Sequence, residues 1–174
     1  NHVRAQVGEY TLTSKLVENS TKILSLAHRV VPKSLQNNFV LYQLNHLAKG
    51  FMADGELDFM EGKIALVELR DLPANWYFTK VGTQLVMLEE QTEEPDVTFS
   101  GTINAMVLMA SQKVDPDTLF FNRDLKISGD TELGLEIKNL IDQFDLNLLD
   151  KPFRKILDVW SSRLLDHDWR SNNA

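Results

Sequence analysis

Residues 115–140 read DPDTLFFNRDLKISGDTELGLEIKNL, and this stretch decides the fold because it contains two helix starts and one strand. Asp115 offers a capping oxygen and Pro116 suits a first helical position, so a short helix is predicted to begin there. The alternation of residues 125–127 is typical of a half-buried strand, and Gly129 is predicted to end it.

A longer helix is predicted to follow at once. Asp130 or Thr131 would cap it, and Glu132 falls in its first turn, where the helix dipole favours an acid. Its apolar residues recur at helical spacing, which predicts one buried face, and they are Leu133, Ile137, Leu140, Ile141 and Phe144.

Upstream of this stretch the apolar period is two, which is typical of strands. Two hairpins are predicted, one turning at Glu61-Gly62 and one at Val81-Gly82. The alternating segments are residues 57–59, 63–69, 76–79, 84–88 and 97–99. Further helices are predicted over residues 12–31, 34–52 (capped by Ser34), 104–110 and after Pro152. This order predicts an α+β domain, a mainly antiparallel sheet with helices over one face.

The composition describes an ordinary globular domain. Hydrophobic residues make up 43% of the 174 residues and charged residues 25%, and there is no cysteine, which excludes disulfides and thiolate chemistry. The net charge of −7 argues against nucleic-acid binding. Residues 1–33 carry five basic and two acidic side chains, a local +3, so the rest of the chain sums to −10.

The helix predicted over residues 12–31 carries this basic charge beside an apolar stripe. The functional interpretation is a helix that binds an anionic membrane, and the alternative is a helix packed on its own domain. The candidate membrane-binding residues are Lys15, Leu16, Lys22, Ile23, Arg29 and Val30.

Motifs of catalysis are not found in the sequence. The four histidines are scattered and give no metal-ligand spacing, so no metal or cofactor is predicted. The acidic run from Asp54 to Glu61 lacks the glycine and the distant glutamate of an EF-hand, which favours a solvated turn. There is no GxSxG, Walker A or GxGxxG pattern. A non-enzymatic protein is predicted.

The runs DPDTLFF and GDTELGLEIKNL, with DGELDF at residues 54–59, resemble the sterol carrier protein 2 (SCP-2) lipid-binding family. More closely, they resemble its members that act in bacterial ubiquinone biosynthesis. The resemblance implies about five strands covered by helices around an apolar lipid cavity. It also suggests three parts: an N-terminal amphipathic extension at 1–33, the SCP-2-like domain at 34–168 and a flexible tail at 169–174.

Candidate cavity residues are chosen from apolarity and placement, with five methionines as adaptable contacts. Phe120 and Phe121 cannot face the same way on one short helix, so one of them is expected in the core. Each of these residues could instead fill an ordinary core. The candidates are Phe39, Leu66, Trp76, Met87, Met106, Met109, Phe120, Phe121 and Leu135.

The resemblance implies an accessory factor in the oxygen-independent route to ubiquinone. Such a factor would bind isoprenoid quinone precursors and present them to hydroxylases of the UbiU and UbiV type. The expected location is cytoplasmic, with peripheral attachment to the inner membrane as a further expectation. The alternatives are a carrier of fatty acyl chains or phospholipid, and a scaffold for a biosynthetic complex. Self-association into a homodimer also stays open.

Overall fold

The computed structural model describes residues 19–89 and 93–166. The helices are α1 Ser20–Val30, α2 Lys33–Ala53, α3 Ile103–Ala110, α4 Pro116–Phe121, α5 Thr131–Asp142 and α6 Lys151–Asp166, with short 3-10 turns at Asp58–Met60 and Leu146–Leu148. The strands are β1 Ala65–Leu69, β2 Asn75–Val81, β3 Gln84–Leu88, β4 Val97–Gly101 and β5 Leu125–Gly129. Residues 12–18 of the first predicted helix lie outside the described residues.

Within the described residues, the five strands form one sheet in the order β3-β2-β1-β4-β5. Three neighbouring pairs are antiparallel, whereas β1 and β4 run parallel in the middle of the sheet. The α+β fold and the mainly antiparallel sheet are therefore confirmed, and so is the hairpin at Val81-Gly82, which joins β2 to β3. Because β4 pairs with β1, the chain that leaves β3 at one edge of the sheet must pass β2 and β1 before it forms β4.

The predicted hairpin at Glu61-Gly62 is wrong. Residues 58–60 form a 3-10 turn instead of a strand, and β1 pairs with β2. A 3-10 turn has three residues per turn, so Leu57 and Met60 point the same way and each is only 3% exposed. The spacing of Leu57 and Met60 therefore belongs to a turn after α2, and both side chains pack in the core.

The helices pack on one face of the sheet. Register places Ala65, Phe78 and Val97 on that face. Gly134 of α5 lies directly on the same face, where a Cβ atom would be 2.5 Å from Ile127 Cγ2. Burial of this apolar layer is the main source of the fold's stability.

Helix starts were predicted with mixed success. Asp115 and Asp130 cap α4 and α5 as predicted, since their carboxylates accept hydrogen bonds from the backbone N–H groups of Asp117 and Leu133. Ser34 is not a cap, because α2 begins one residue earlier and follows Pro32 without a side-chain cap. Gly129 ends β5 with a φ of +84°, a backbone conformation that favours glycine.

Candidate lipid-binding groove

A groove of about 480 Å³ lies between the first turn of α2 and the open end of the β2–β3 hairpin. Its volume is within the range of about 300–1,000 Å³ that is typical of small-molecule sites. Apolar side chains of β2 and β3 meet polar side chains of α2 there. The principal lining residues are Lys33, Asn37, Pro73, Trp76, Met87 and Leu88.

Trp76 connects this groove to the interior. Its ring packs on a small buried cluster of Leu69, Leu72 and Ala74, together with half-buried Ile103 and Met106. The indole Nε1 donates a hydrogen bond to Asn37 Oδ1 at 3.2 Å, so the polar edge of the ring is satisfied by α2. The apolar body of the ring is therefore held as a wall of the groove.

The polar side chains at the rim come from two sides. Lys33, Ser34 and Asn37 belong to α2, whereas Asn75 is the first residue of β2 and Glu89 follows β3. An apolar floor with polar groups at one edge is suited to a ligand that has a hydrophobic tail and a polar ring or head. The chemistry available to these residues is binding and orientation.

The structure brings two of the predicted lipid-binding residues together in the groove, Trp76 and Met87. Met106 does not line the groove, but it packs against the same buried cluster as Trp76. Met109 and Phe120 pack against the main core, away from this groove. Leu66 lies on the opposite face of β1 from Ala65 and is 8% exposed.

The remaining three lipid-binding candidates lie at the surface. Phe121 is 88% exposed, whereas its neighbour Phe120 faces inward, as expected for adjacent residues on a six-residue helix. Leu135 is 49% exposed on α5. Phe39 is 46% exposed and packs edge-on against Phe153 of α6, with ring centroids 5.3 Å apart.

Sequence reasoning missed the groove residues Asn37, Pro73 and Asn75. A hairpin at Glu61-Gly62 pairs residues 63–69 with residues 57–59, so residues 70–75 are then not expected to be the turn of a hairpin. A Leu-Pro-Ala-Asn step between two alternating segments is a turn signal. Pairing residues 63–69 with residues 76–79 across it would have placed Pro73 at the end of a hairpin beside Trp76.

The predicted membrane-binding residues are only partly described. Lys22 and Arg29 are exposed on α1, and Val30 is 72% exposed. Lys15, Leu16 and the side chain of Ile23 lie outside what the structure describes. None of the helices among the described residues is long and apolar enough to cross a bilayer.

The acidic run at residues 54–61 is tied to the sheet by Lys80. The Lys80 ammonium contacts Glu61 at 2.7 Å and Asp58 at 3.5 Å, and its side chain is 7% exposed. The hydrogen bond to Glu61, with the attraction of both carboxylates, raises the pKa of Lys80 above its ordinary value. Two of the run's carboxylates therefore serve an ion pair, and the described residues contain no group of three acidic or histidine side chains arranged for a metal.

Comparison with known proteins places these features in a family. The profile of the SCP-2 sterol transfer family matches residues 43–142. The "Ubiquinone biosynthesis accessory factor UbiT" of Escherichia coli K12 is 36% identical over 146 residues, which cover 84% of this chain and 83% of that protein. The same values hold for UbiT of E. coli O157:H7.

A solved structure shares the fold. It is described as "UbiJ-SCP2 Ubiquinone synthesis protein", and it superposes with a TM-score of 0.54 at 20% sequence identity. The superposition covers 64% of this chain and 93% of that one.

Proposed function

The chain belongs to the SCP-2 sterol transfer family, and from this premise we propose that it is an accessory factor of ubiquinone biosynthesis. In this proposal it binds a prenylated quinone precursor in the groove over Trp76 and catalyses no reaction itself. The observation that carries the proposal is the joining of an apolar floor at Trp76, Met87 and Leu88 to a polar rim. The similarity to UbiT indicates the pathway.

The physical need for such a protein comes from the isoprenoid tail. Each buried methylene is stabilised by about 0.8 kcal/mol, so a long prenyl chain does not stay free in water. A protein that covers part of the tail and leaves the aromatic ring at a polar rim makes the ring accessible to modifying enzymes. The half-buried Trp76 and the exposed Asn75 lie at such a boundary.

The finer proposal is that the ring is presented to hydroxylases of the UbiU and UbiV type in the oxygen-independent route. It rests on the similarity to UbiT over most of both chains. Copurification of the tagged chain with each hydroxylase from cells grown without oxygen would test it. If deletion of the gene lowered ubiquinone only in cells grown with oxygen, the result would contradict the assignment to that route.

We further propose that the protein attaches from the cytoplasm to an anionic inner membrane through residues 12–31. Between Glu18 and Asp54 the chain has no acidic residue and four basic ones, although its net charge is −7. Leu26 and Val30 of α1 are 63% and 72% exposed. Each basic residue near an anionic surface contributes about 1 kcal/mol, and insertion of the apolar side chains adds to this.

The outer face of α2 supports the same attachment. Leu35 and Tyr42 lie on the side opposite its buried residues and are 59% and 58% exposed, and Phe39 beside them is 46% exposed where its ring meets Phe153 of α6. Apolar side chains on both sides of a helix indicate that something else covers the outer one. Neither α1 nor α2 carries a carboxylate, although Asp71 lies beside Lys22 and Arg29. The basic charge of these helices favours an anionic bilayer as the partner.

Vesicle co-sedimentation tests the attachment. Binding of Lys22→Glu/Arg29→Glu protein to vesicles with one-third phosphatidylglycerol should fall by at least about thirtyfold, since two contributions of about 1 kcal/mol are lost and both charges become repulsive. Lys126→Glu, an exposed change on β5, is the matched control. Equal binding of both variants, or salt-independent binding of the unchanged protein, would contradict the proposal.

Mass spectrometry of organic extracts of the purified protein tests the main proposal. A prenylated phenol or quinone, at close to one molecule per chain, is the expected result. Fatty acids or phospholipids alone would instead indicate a general lipid carrier. Absence of any lipid, with no change in the intrinsic tryptophan fluorescence of the protein on adding a prenylated phenol, would favour a scaffold.

A further inference from the structure

A cleft of about 370 Å³ separates α1 from the loop that joins β1 to β2. From the helix it is lined by Lys22, Ser25, Leu26 and Arg29, and from the loop it is lined by Asp71. Two cations therefore share a small cleft with one carboxylate. This arrangement is suited to an ion pair between the helix and the loop.

One oxygen of the Asp71 carboxylate lacks a partner. Asp71 Oδ1 accepts a hydrogen bond from the backbone N–H of Ile103 at 3.0 Å. Asp71 Oδ2 is buried and has no hydrogen-bond partner among the residues that the structure describes. A buried carboxylate oxygen without a donor is unfavourable, because it has lost its contact with water and gained no hydrogen bond in return. Lys22 and Arg29 line the same cleft, so either side chain could supply the missing donor.

Neither of these two cations is paired with another acid. Across residues 19–89 and 93–166, no carboxylate lies within ion-pair distance of Lys22 or Arg29. Both side chains are exposed, so they are free to change rotamer. The structure thus shows α1 beside Asp71 with the ion pair open, and a small movement of the helix or of either side chain would close it.

The helix α1 is joined to the domain in a way that allows such a movement. Leu26 and Val30 are largely exposed, so they contribute little apolar burial against the domain. Val31 is extended, with φ −81° and ψ 127°, and it precedes Pro32, so α1 and α2 are separate helices. Gln36 Nε2 donates a hydrogen bond to the backbone oxygen of Val31 at 2.7 Å, which fixes this joint to α2. The helix α1 can therefore pivot at Val31 without disturbing α2.

The loop that carries Asp71 is firmly held and also borders the groove over Trp76. Leu72 and Ala74 are buried in the cluster on which Trp76 packs, and Pro73 and Ala74 line the groove itself. Asp71 directly precedes these residues. The helix α1 and the entrance of the groove therefore lie on either side of the same loop.

We infer that α1 is a latch. In solution Lys22 and Arg29 close onto Asp71, and an anionic membrane competes for the same two cations and releases the helix. The inference rests on the membrane attachment proposed above and adds its regulation. A closed latch weakens membrane binding, because the apparent dissociation constant rises as the open fraction falls. Release of α1 also brings the membrane next to the groove, since both adjoin residues 71–74.

Distances between two spin labels test the closed state. The chain has no cysteine, so nitroxides can be attached at Ala27→Cys on α1 and Ser128→Cys on β5, both at exposed positions. In buffer the labelled chain should give one narrow distance, and Asp71→Asn should add a second, broader population. This change keeps an oxygen that can accept from Ile103. Glu136→Gln, an exposed change on α5, removes the same charge elsewhere and should keep the single narrow distance.

Vesicles test the release. Vesicles with one-third phosphatidylglycerol should convert the labelled chain to the broad population, whereas phosphatidylcholine vesicles should not. In co-sedimentation with the anionic vesicles, Asp71→Asn should bind at least about threefold more tightly than Glu136→Gln, because its latch is not held closed.

The latch is overturned if Asp71→Asn and Glu136→Gln give the same distances in buffer, or if vesicle-bound protein keeps the narrow distance. Failure of every variant to sediment would instead contradict the attachment and, with it, the release.

Discussion

The side-chain amide of Asn45 forms two hydrogen bonds with the peptide groups of Leu85. Asn45 Nδ2 donates to the backbone oxygen of Leu85 at 2.9 Å, and the backbone N–H of Leu85 donates to Asn45 Oδ1 at 2.8 Å. The helix α2 thereby supplies the pairing that a further strand would give to the free edge of β3. This contact fixes the position of α2 over the sheet and protects the edge from association with another chain.

Replacement of Asn45 by leucine should lower the free energy of unfolding by about 1–3 kcal/mol, because two polar backbone groups beneath α2 lose their partners. Urea unfolding measures this cost. Asn38→Leu, on the exposed side of α2, is the control and should change stability by less than about 0.5 kcal/mol. Equal effects of the two changes would show that the pairing contributes nothing specific.

Gly134 permits the close approach of α5 to the sheet. A Cβ atom there would lie 2.5 Å from Ile127 Cγ2 and 3.1 Å from Val97 Cγ2. Gly134→Ala gains about 1 kcal/mol of helix propensity, but overpacking should cost about 1–3 kcal/mol. Thermal unfolding should therefore show no stabilisation in the normal chain. In an Ile127→Ala background the same change should stabilise, and a clear gain in both backgrounds would contradict the contact.

Asp130 is the cap of α5. Its carboxylate accepts a hydrogen bond from the backbone N–H of Leu133 at 3.1 Å, so Asp130→Ala should cost about 1 kcal/mol in chemical denaturation. Thr131 is exposed in the first turn, and Thr131→Ala should change stability by less than about 0.5 kcal/mol. If Thr131→Ala cost more stability than Asp130→Ala, Thr131 and not Asp130 would be the cap.

Met106 and Met109 are both partly buried against the main core, but only Met106 also packs against the cluster of Leu69, Leu72 and Ala74 that supports Trp76. Met106→Trp should crowd the cluster that supports Trp76 and weaken the binding of a prenylated phenol about tenfold, as followed by a competition assay. Met109→Trp is the matched variant and should leave binding unchanged while lowering stability. Equal binding losses in both variants would place the ligand elsewhere in the core.

The ion pairs of Lys80 should make a contribution to the free energy of unfolding that is lost at alkaline pH. Its pKa is raised from 10.5 by the hydrogen bond to Glu61, so the folded state binds its proton more tightly than the unfolded state does. This stabilisation is fully present below pH 10.5 and is lost as the pH rises through the folded-state pKa. The difference in unfolding free energy between the normal chain and Lys80→Met should be constant from pH 7 to 9 and should shrink above pH 10.5. A difference that shrinks already near pH 8 would contradict this origin.

The elements of the fold were predicted where local chemistry decides them. The caps at Asp115 and Asp130 and the hairpin at Val81-Gly82 depend on a few neighbouring residues, and the structure confirms them. The strand predicted at residues 57–59 is wrong, because an apolar-polar-apolar pattern of three residues fits both a strand and a 3-10 turn. The turn forms because Leu57 and Met60, three residues apart, are both buried.

The groove was harder to predict because its walls come from distant parts of the chain. Trp76 and Met87 were chosen for apolarity, and neighbouring strands of the sheet bring them together in the groove. Phe121 and Leu135 were chosen on the same grounds, yet helix orientation turns them outward. Residue type predicts whether a side chain prefers burial, but the neighbour that buries it depends on topology.

The parallel pairing of β1 with β4 sets the order in which the chain can fold. Ala65 pairs with Val97, so 32 positions separate residues that touch in the middle of the sheet, whereas Val81 and Gln84 pair across a two-residue turn. Closing the long loop costs more chain entropy, so the β2–β3 hairpin can form early while the centre of the sheet forms late. During synthesis, β1 must wait for β4 to leave the ribosome, and until then its Ala-Leu-Val-Glu-Leu edge is open to chaperones and to other nascent chains.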